Sequence, residues 1–116
     1  MRTADEIFQH HLEAFGAGNI EEILLDYHEI SVIMYGEKIW RGVEGARVFF
    51  DMWLSDLIPA GSDFNLISRV SSGDMVCITW SAESAKYNFD FGTDTFVFKE
   101  DKVLRQTVAT RHWVKE

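Results

Sequence analysis

Apolar residues near the start of the chain recur three and four positions apart: Ile7, Phe8, Leu12 and Phe15, with His11 on the same stripe. That spacing predicts an amphipathic helix, and Thr3 followed by Glu6 supplies a capping-box pair at its start. Gly16 and Gly18 close it. Asn19, with Glu22 in the box position, predicts a second helix with the inner stripe Ile20, Ile23, Leu24 and Tyr27, and leaves His28 as a solvated residue near its end. From Ile30 the period shortens to two, and SVIMYGEKIWRG reads as a hairpin turning near Gly36 and Glu37. Helical spacing returns in VEGARVFFDMWLSDLI through Ala46, Phe49, Phe50, Trp53, Leu54 and Leu57. Pro59, the single proline, begins the loop PAGSD. Three strand candidates follow: FNLISRV, MVCITWSAES and KYNFDFGTDTFVF. A last strand, VLRQTVATRHWV, comes after the tight turn KEDK.

Helices followed by a run of strands predict an α+β fold, three N-terminal helices packed on one face of a curved, mostly antiparallel sheet. The 116 residues read as a single domain, 1–116, long enough to bury roughly two thirds of the unfolded surface. A hydrophobic content of 47% with 14% aromatics is far from the composition of disorder. Nine Phe, four Trp and three Tyr are more aromatic surface than a plain scaffold needs, which leaves a lined cavity, an aromatic interface or a well-filled core. The net charge is −8 and the 11 basic residues are scattered, so neither nucleic acid nor an anionic membrane is an expected partner. Cys77 is alone, which excludes an internal disulfide and suits a cytoplasmic protein. Charges interrupt the N-terminal segment, and no apolar run approaches membrane-spanning length, so a soluble, cytoplasmic location is expected.

The stretch YNFDFGTDTF carries Asp90 and Asp94 in an otherwise aromatic, β-prone run. A regular strand would point both carboxylates to one face, at a cost unless something there pairs with them or uses them. Gly92 between them suggests a bulge, which would turn Asp94 inward and Asp90 outward. The register of the last hairpin sets what meets Asp94. A two-residue turn at Glu100 and Asp101 pairs Asp94 with Thr107 and makes Asp90–Arg111 a surface ion pair. A three-residue turn from Lys99 to Asp101 pairs Asp94 with Gln106. It also puts Gln106, Val108, Thr110 and His112 on the Asp94 face. Aspartate tolerates the left-handed conformation a tight turn needs, which favours the three-residue turn.

Two segments, AFGAGNIEEILLDYHEISVIM with WRGVEGARVFF, and TDTFVFKEDKVLRQTV, resemble the nuclear transport factor 2-like superfamily, most of all its SnoaL-like branch. The similarity covers nearly the whole chain. It implies a cystatin-like cone in which a bent sheet wraps a helix and leaves an apolar pocket open at one end. Relatives of this kind include ketosteroid isomerase, scytalone dehydratase, limonene epoxide hydrolase and polyketide cyclases, besides non-catalytic binders and dimerising modules. The resemblance also implies a homodimer through the outer sheet face, a small apolar or aromatic ligand, and no cofactor.

Carried onto this chain, the isomerase pattern puts His11 where a helix-borne tyrosine stabilises an oxyanion. It puts Asp94 where an aspartate is held neutral by an apolar site. The isomerases' general-base aspartate falls on Met34 and Tyr35, neither of which ionises near neutrality, which argues against true ketosteroid isomerase activity. A dehydratase pattern of Asp, His and Tyr, or a hydrolase pattern of Arg111 with Asp90 and Asp94, stays open. The candidate catalytic residues are therefore Asp94 and His11. The candidate pocket walls are Phe15, Tyr27, Tyr35, Phe50, Trp53, Gln106, Val108 and Thr110. His10 and His11 point about 100° apart on a helix and cannot form a metal pair, and no metal site is expected. Two functions remain: an isomerase, dehydratase or cyclase acting on a small cyclic molecule, or a non-catalytic binding or dimerisation module.

Overall fold

The computed structural model describes all 116 residues. Helix α1 (Ala4–Gly16) opens with the capping box complete, Thr3 accepting from the Glu6 N–H and Glu6 accepting from the Thr3 N–H at 2.8 Å. It buries Ile7, Phe8, His11 and Ala14. Gly18 turns the chain with φ +68°, a conformation that favours glycine. Asn19 then caps a short α2 (Ile20–Leu24) by accepting from the Glu22 N–H. The Glu22 side chain does not complete a second box. It accepts from His10 Nε2 at 2.7 Å instead.

The second helix is shorter than its apolar stripe predicts. Strand β1 (Tyr27–Tyr35) begins at Tyr27, so Tyr27 and His28 are strand residues and not helical ones. Asp26 sets this boundary: its N–H goes to the Ile23 carbonyl, while its own carbonyl accepts from the Val103 N–H. Strand β2 (Lys38–Arg41) completes the predicted hairpin and leads into α3 (Gly42–Met52). The last turn of this helix, Trp53–Leu57, is widened to π geometry, with Ile58 N–H donating to the Trp53 carbonyl at 2.7 Å. Strands β3 (Asp63–Ser72), β4 (Met75–Glu83), β5 (Tyr87–Lys99) and β6 (Lys102–Val114) form the predicted meander.

The six strands lie in the order β2-β1-β6-β5-β4-β3. All neighbours are antiparallel except β1 and β6, which run parallel and join the hairpin to the meander. Register shifts interrupt each ladder of the meander and the β1–β6 ladder. Extra residues of this kind increase local twist and bend the strands, which curves the sheet around the helices. The concave side receives Phe8, Phe49, Phe50 and Trp53 from the helices, and Val76, Ile78, Trp80, Phe89 and Phe96 from the sheet. This is an α+β cone.

The last hairpin differs from expectation in its turn and agrees in its faces. Lys99 pairs with Lys102, so the turn holds only Glu100 and Asp101, at φ +52° and +71°. Arg2 clamps it from outside, its backbone N–H donating to Asp101 Oδ1 at 2.9 Å and its guanidinium to the Asp101 carbonyl at 3.0 Å. A two-residue turn alone would put Thr107 opposite Asp94. Leu104 is an extra residue on β6, between the pairs Phe98–Val103 and Val97–Arg105, and it restores the parity. Asp94 consequently sits opposite Val108, with Gln106, Val108 and Thr110 on its face.

Candidate functional site

Strand β5 turns Asp94 inward and Asp90 outward. Asp94 is 9% exposed, whereas Asp90 is exposed and accepts from Arg111 Nε at 2.9 and 3.0 Å. The irregularity that separates them lies at Asp90, between the Phe89–His112 and Phe91–Arg111 pairs, and not at Gly92. Gly92 has another task. A Cβ there would lie 2.2 Å from the Trp80 ring, so the missing side chain lets the indole of β4 lie flat across β5. From that position Trp80 Nε1 donates to Asp94 Oδ1 at 2.8 Å.

The other carboxylate oxygen, Oδ2, accepts from Gln106 Nε2 at 3.0 Å. Gln106 is oriented in turn by Tyr27, whose hydroxyl donates to Gln106 Oε1. Burial and the nearby Asp94 carboxylate hold the Tyr27 phenol well above its ordinary pKa, so it stays a donor. Three side chains from β1, β6 and β5 thus form a directed chain ending on Asp94. Burial raises the Asp94 carboxyl to about 6, and the two N–H donors pull against that rise by favouring the ionised form.

His11 reaches the same space from α1. Its ring lies between Phe50 and Phe96, at centroid distances of 5.4 and 5.3 Å. Burial, aided by the neighbouring His10, lowers it to about 4, so the imidazole is neutral at pH 7. Its Nδ1 is buried and has no hydrogen-bond partner, and the same holds for Trp53 Nε1.

Asp94, His11, Gln106, Trp53 and Trp80 line a chamber of about 50 Å³, otherwise apolar and without a lysine or arginine. Leu12, Phe15, Ile58 and Phe64 line both this chamber and a wider space of about 330 Å³ toward the 58–62 loop. The two form a funnel. The chamber holds one small functional group, since an apolar cavity needs about 150 Å³ to take a benzene ring. The outer space is wide enough for a ring.

Of the predicted walls, Phe15, Phe50, Trp53, Gln106 and Val108 line the chamber. Tyr27, Tyr35 and Thr110 do not. Tyr27 lies behind Gln106. Tyr35 is screened by Phe49 and Trp53, with rings at 6.2 and 5.5 Å, and its hydroxyl meets Thr110 Oγ1 at 2.9 Å. Thr110 also meets His112 Nδ1 at 2.9 Å, and His112 stacks on Phe89 at 4.5 Å. Of Met34 and Tyr35, where the resemblance puts a general base, Met34 is 44% exposed and Tyr35 stands outside the chamber. Arg111 pairs with Asp90 away from the chamber, which breaks the hydrolase pattern.

Sequence reasoning missed Trp80 and a second polar cluster. Trp80 had a usable signal: a tryptophan and a glycine in neighbouring strand candidates, each on the apolar parity. The second cluster centres on Asp26, fully buried, which accepts from Arg2 Nη1 at 2.9 Å and His10 Nδ1 at 2.5 Å. With Glu22 on its other nitrogen, the His10 ring donates from both sides, which requires the imidazolium. The Glu22 and Asp26 carboxylates raise its pKa accordingly.

No protein-family model and no curated protein sequence matches the chain. Solved structures do. The epoxide hydrolase/cyclase-like enzyme SalBIII of pyran-ring formation in the polyether salinomycin superimposes with TM-score 0.80 at 16% identity, covering 97% of this chain and 95% of that one. An NTF2-like protein of unknown function from Cytophaga hutchinsonii gives 0.74 at 10%, covering 96% and 92%. A candidate SnoaL-like polyketide cyclase from Shewanella denitrificans gives 0.71 at 13%, covering 93% and 90%. The chain has the nuclear transport factor 2-like fold. At such identities the likeness speaks for architecture, since this scaffold carries many unrelated activities. No helix of the NTF2-like cone is long and apolar enough to cross a membrane.

Proposed function

We propose that this protein is a cofactor-free proton-transfer enzyme of the isomerase, dehydratase or cyclase kind, acting on a small cyclic molecule through Asp94. One observation carries the reading: a buried carboxyl at about 6, held by two N–H donors at the floor of an apolar chamber. A group that titrates near neutrality both takes and returns a proton readily, and it is a stronger base than an ordinary carboxylate. The substrate's oxygen-bearing end enters the chamber, and its apolar body rests in the outer funnel against Phe15, Ile58 and Phe64. Asp94 removes a proton from the carbon next to the oxygen-bearing carbon, leaving the electron pair on the enolate oxygen, and returns the proton to carbon as the carbonyl re-forms. Neutral His11 is its polar partner.

The test is hydrogen–deuterium exchange at the α-carbon of cyclohexanone in D₂O, followed by NMR. Wild-type protein should accelerate exchange and Asp94→Asn should not. Equal rates with the two proteins would sink the catalytic reading. A second reading, a non-catalytic binding module, is favoured by the exposed Met34 at the missing general-base position. It expects cyclohexanone to raise the melting temperature without accelerating exchange.

In either reading the protein is a homodimer through the convex sheet face. That face is rich in uncharged side chains, including Val70, Cys77, Thr79, Thr93, Thr95 and Ala109. Sedimentation equilibrium checks it: a monomer at micromolar concentration, or a dimer indifferent to Thr93→Arg, would contradict it.

A further inference from the structure

Trp53 Nε1 has no part in the proton transfer described above, and His11, named there only as a polar partner, carries a buried Nδ1 with nothing bonded to it. Both residues are more than nine-tenths buried, at 3% and 6% exposure, both line the chamber, and neither atom has a hydrogen-bond partner. A buried donor or acceptor without a partner costs free energy comparable to a lost hydrogen bond, so a pair of them in one apolar pocket is a feature to be explained. The backbone beside Trp53 is also irregular. Residues five apart on an α-helix point roughly 140° from one another. The π turn that starts at Trp53 lets Trp53 and Ile58 line the same chamber instead. Turns of this kind recur at functional sites.

The chemistry of the two atoms limits what can satisfy them. An indole N–H only donates, and a neutral imidazole offers one donor and one acceptor. With no lysine or arginine in the chamber and the Asp94 carboxylate on its wall, a carboxylate or phosphate finds no counter-charge. A hydrocarbon leaves both atoms unsatisfied. A neutral molecule with an oxygen acceptor meets the need.

We propose that Trp53 Nε1 and His11 Nδ1 are ligand-positioning groups that select a neutral, oxygen-bearing ligand, Trp53 donating to a carbonyl or ether oxygen. His11 Nδ1 takes the hydroxyl or second polar edge of the same molecule. This rests on the reading of the chamber as a ligand site. It makes Trp53 the residue that admits an oxygen compound and rejects its hydrocarbon analogue, independently of whether Asp94 moves a proton.

The four tryptophans give separate indole N–H signals in ¹⁵N-labelled protein, assignable through single Phe substitutions. Titration of wild-type protein with cyclohexanone should move the Trp53 signal downfield saturably. Cyclohexene and cyclohexanecarboxylate should leave it in place, and Trp53→Phe should weaken cyclohexanone binding about tenfold, the worth of one hydrogen bond. If Trp53→Phe does not fold, the wild-type signal alone decides. Saturable binding that moves the Trp80 signal while Trp53 stays still overturns the inference and leaves the chamber as a ligand site. An equal response to cyclohexanecarboxylate overturns selection for a neutral ligand. If no probe moves either indole, the ligand-site reading falls together with the inference.

Discussion

Asp94 and His11 line one chamber with their proton affinities in inverted order: the carboxyl lies at about 6 and the imidazole at about 4. In water the imidazole holds its proton more tightly by more than two units. Burial causes both shifts, because a low-dielectric site penalises whichever form is charged. The carboxyl is pushed up and the imidazole down, and the two cross.

The crossing has opposite consequences for stability. Between about pH 4 and 6 the folded state holds a proton on Asp94 that the unfolded chain has released, so this contribution is lost as pH rises through 6. Between about pH 4 and 6.5 the unfolded chain holds a proton on His11 that the folded state refuses, so that contribution is lost as pH falls. Each is worth about 3 kcal/mol, and in the native protein they largely offset. Relative to wild type, Asp94→Asn should gain stability from pH 4 to 6.5 and His11→Phe should lose it. Urea unfolding across that range measures both. Curves parallel to wild type would refute the inversion.

Gly92→Ala should disable the site without touching a polar group. The added methyl would meet the Trp80 ring at 2.2–2.6 Å, and moving a packed indole costs about 3 kcal/mol. Trp80 should also lose its bond to Asp94. The donor favours the ionised form, so the Asp94 carboxyl should then titrate above its native value, which carboxyl ¹³C NMR reads directly. An unchanged titration would mean that Trp80 does not set the charge of Asp94.

The Arg2–Asp26–His10 cluster should act as a stabilising latch at mildly acidic pH. Charge-assisted bonds reach Asp26 from both sides, so Asp26→Asn should cost about 2 kcal/mol at pH 6. The folded His10 pKa is raised, so its share is fully present below about pH 6.5 and lost as pH rises through the folded value. In a His10→Ala background the Asp26 substitution should cost less, and a double-mutant cycle at two pH values tests this. Strict additivity at both would dissolve the latch.

Leu104 is the extra residue of the last hairpin, so its deletion should be tolerated. Without it, Arg105 still faces Val97 and Gln106 still faces Phe96, because the bulge alone is removed. Deleting Gln106 should instead be absorbed only by spending that bulge, which puts Arg105 opposite Phe96 on the buried face and takes the Gln106 donor from Asp94. Thermal unfolding of the two deletions separates the cases: comparable losses would show that the bulge carries more than parity.

Much of this fold was legible from local rules. The Thr3–Glu6 box, the Asn19 cap, the Gly36 turn and the alternation in β4 to β6 each express preferences of neighbouring residues, and each appears as read. The two-residue turn at Glu100 and Asp101 was not legible, because the contact that clamps it comes from Arg2, ninety-nine residues away. Asp26 was invisible for the same reason: nothing nearby marks a carboxylate as buried until Arg2 and His10 arrive to pair with it.

By itself the sequence determined the order of elements and the inward stripe that carries His11, whereas the face of β5 that carries Asp94 waited on the bulges at Asp90 and Leu104. The first two follow from periodicity, which a helix or strand reads locally. Only the tertiary structure decided that Trp80 crosses Gly92 to hold Asp94. The same is true of Tyr27, which acts behind Gln106, and of Tyr35 and Thr110, which stand outside the chamber. Each of these outcomes depends on which rings fill the space between distant strands and on a bulge at Leu104, and packing across a curved sheet has no period along the chain.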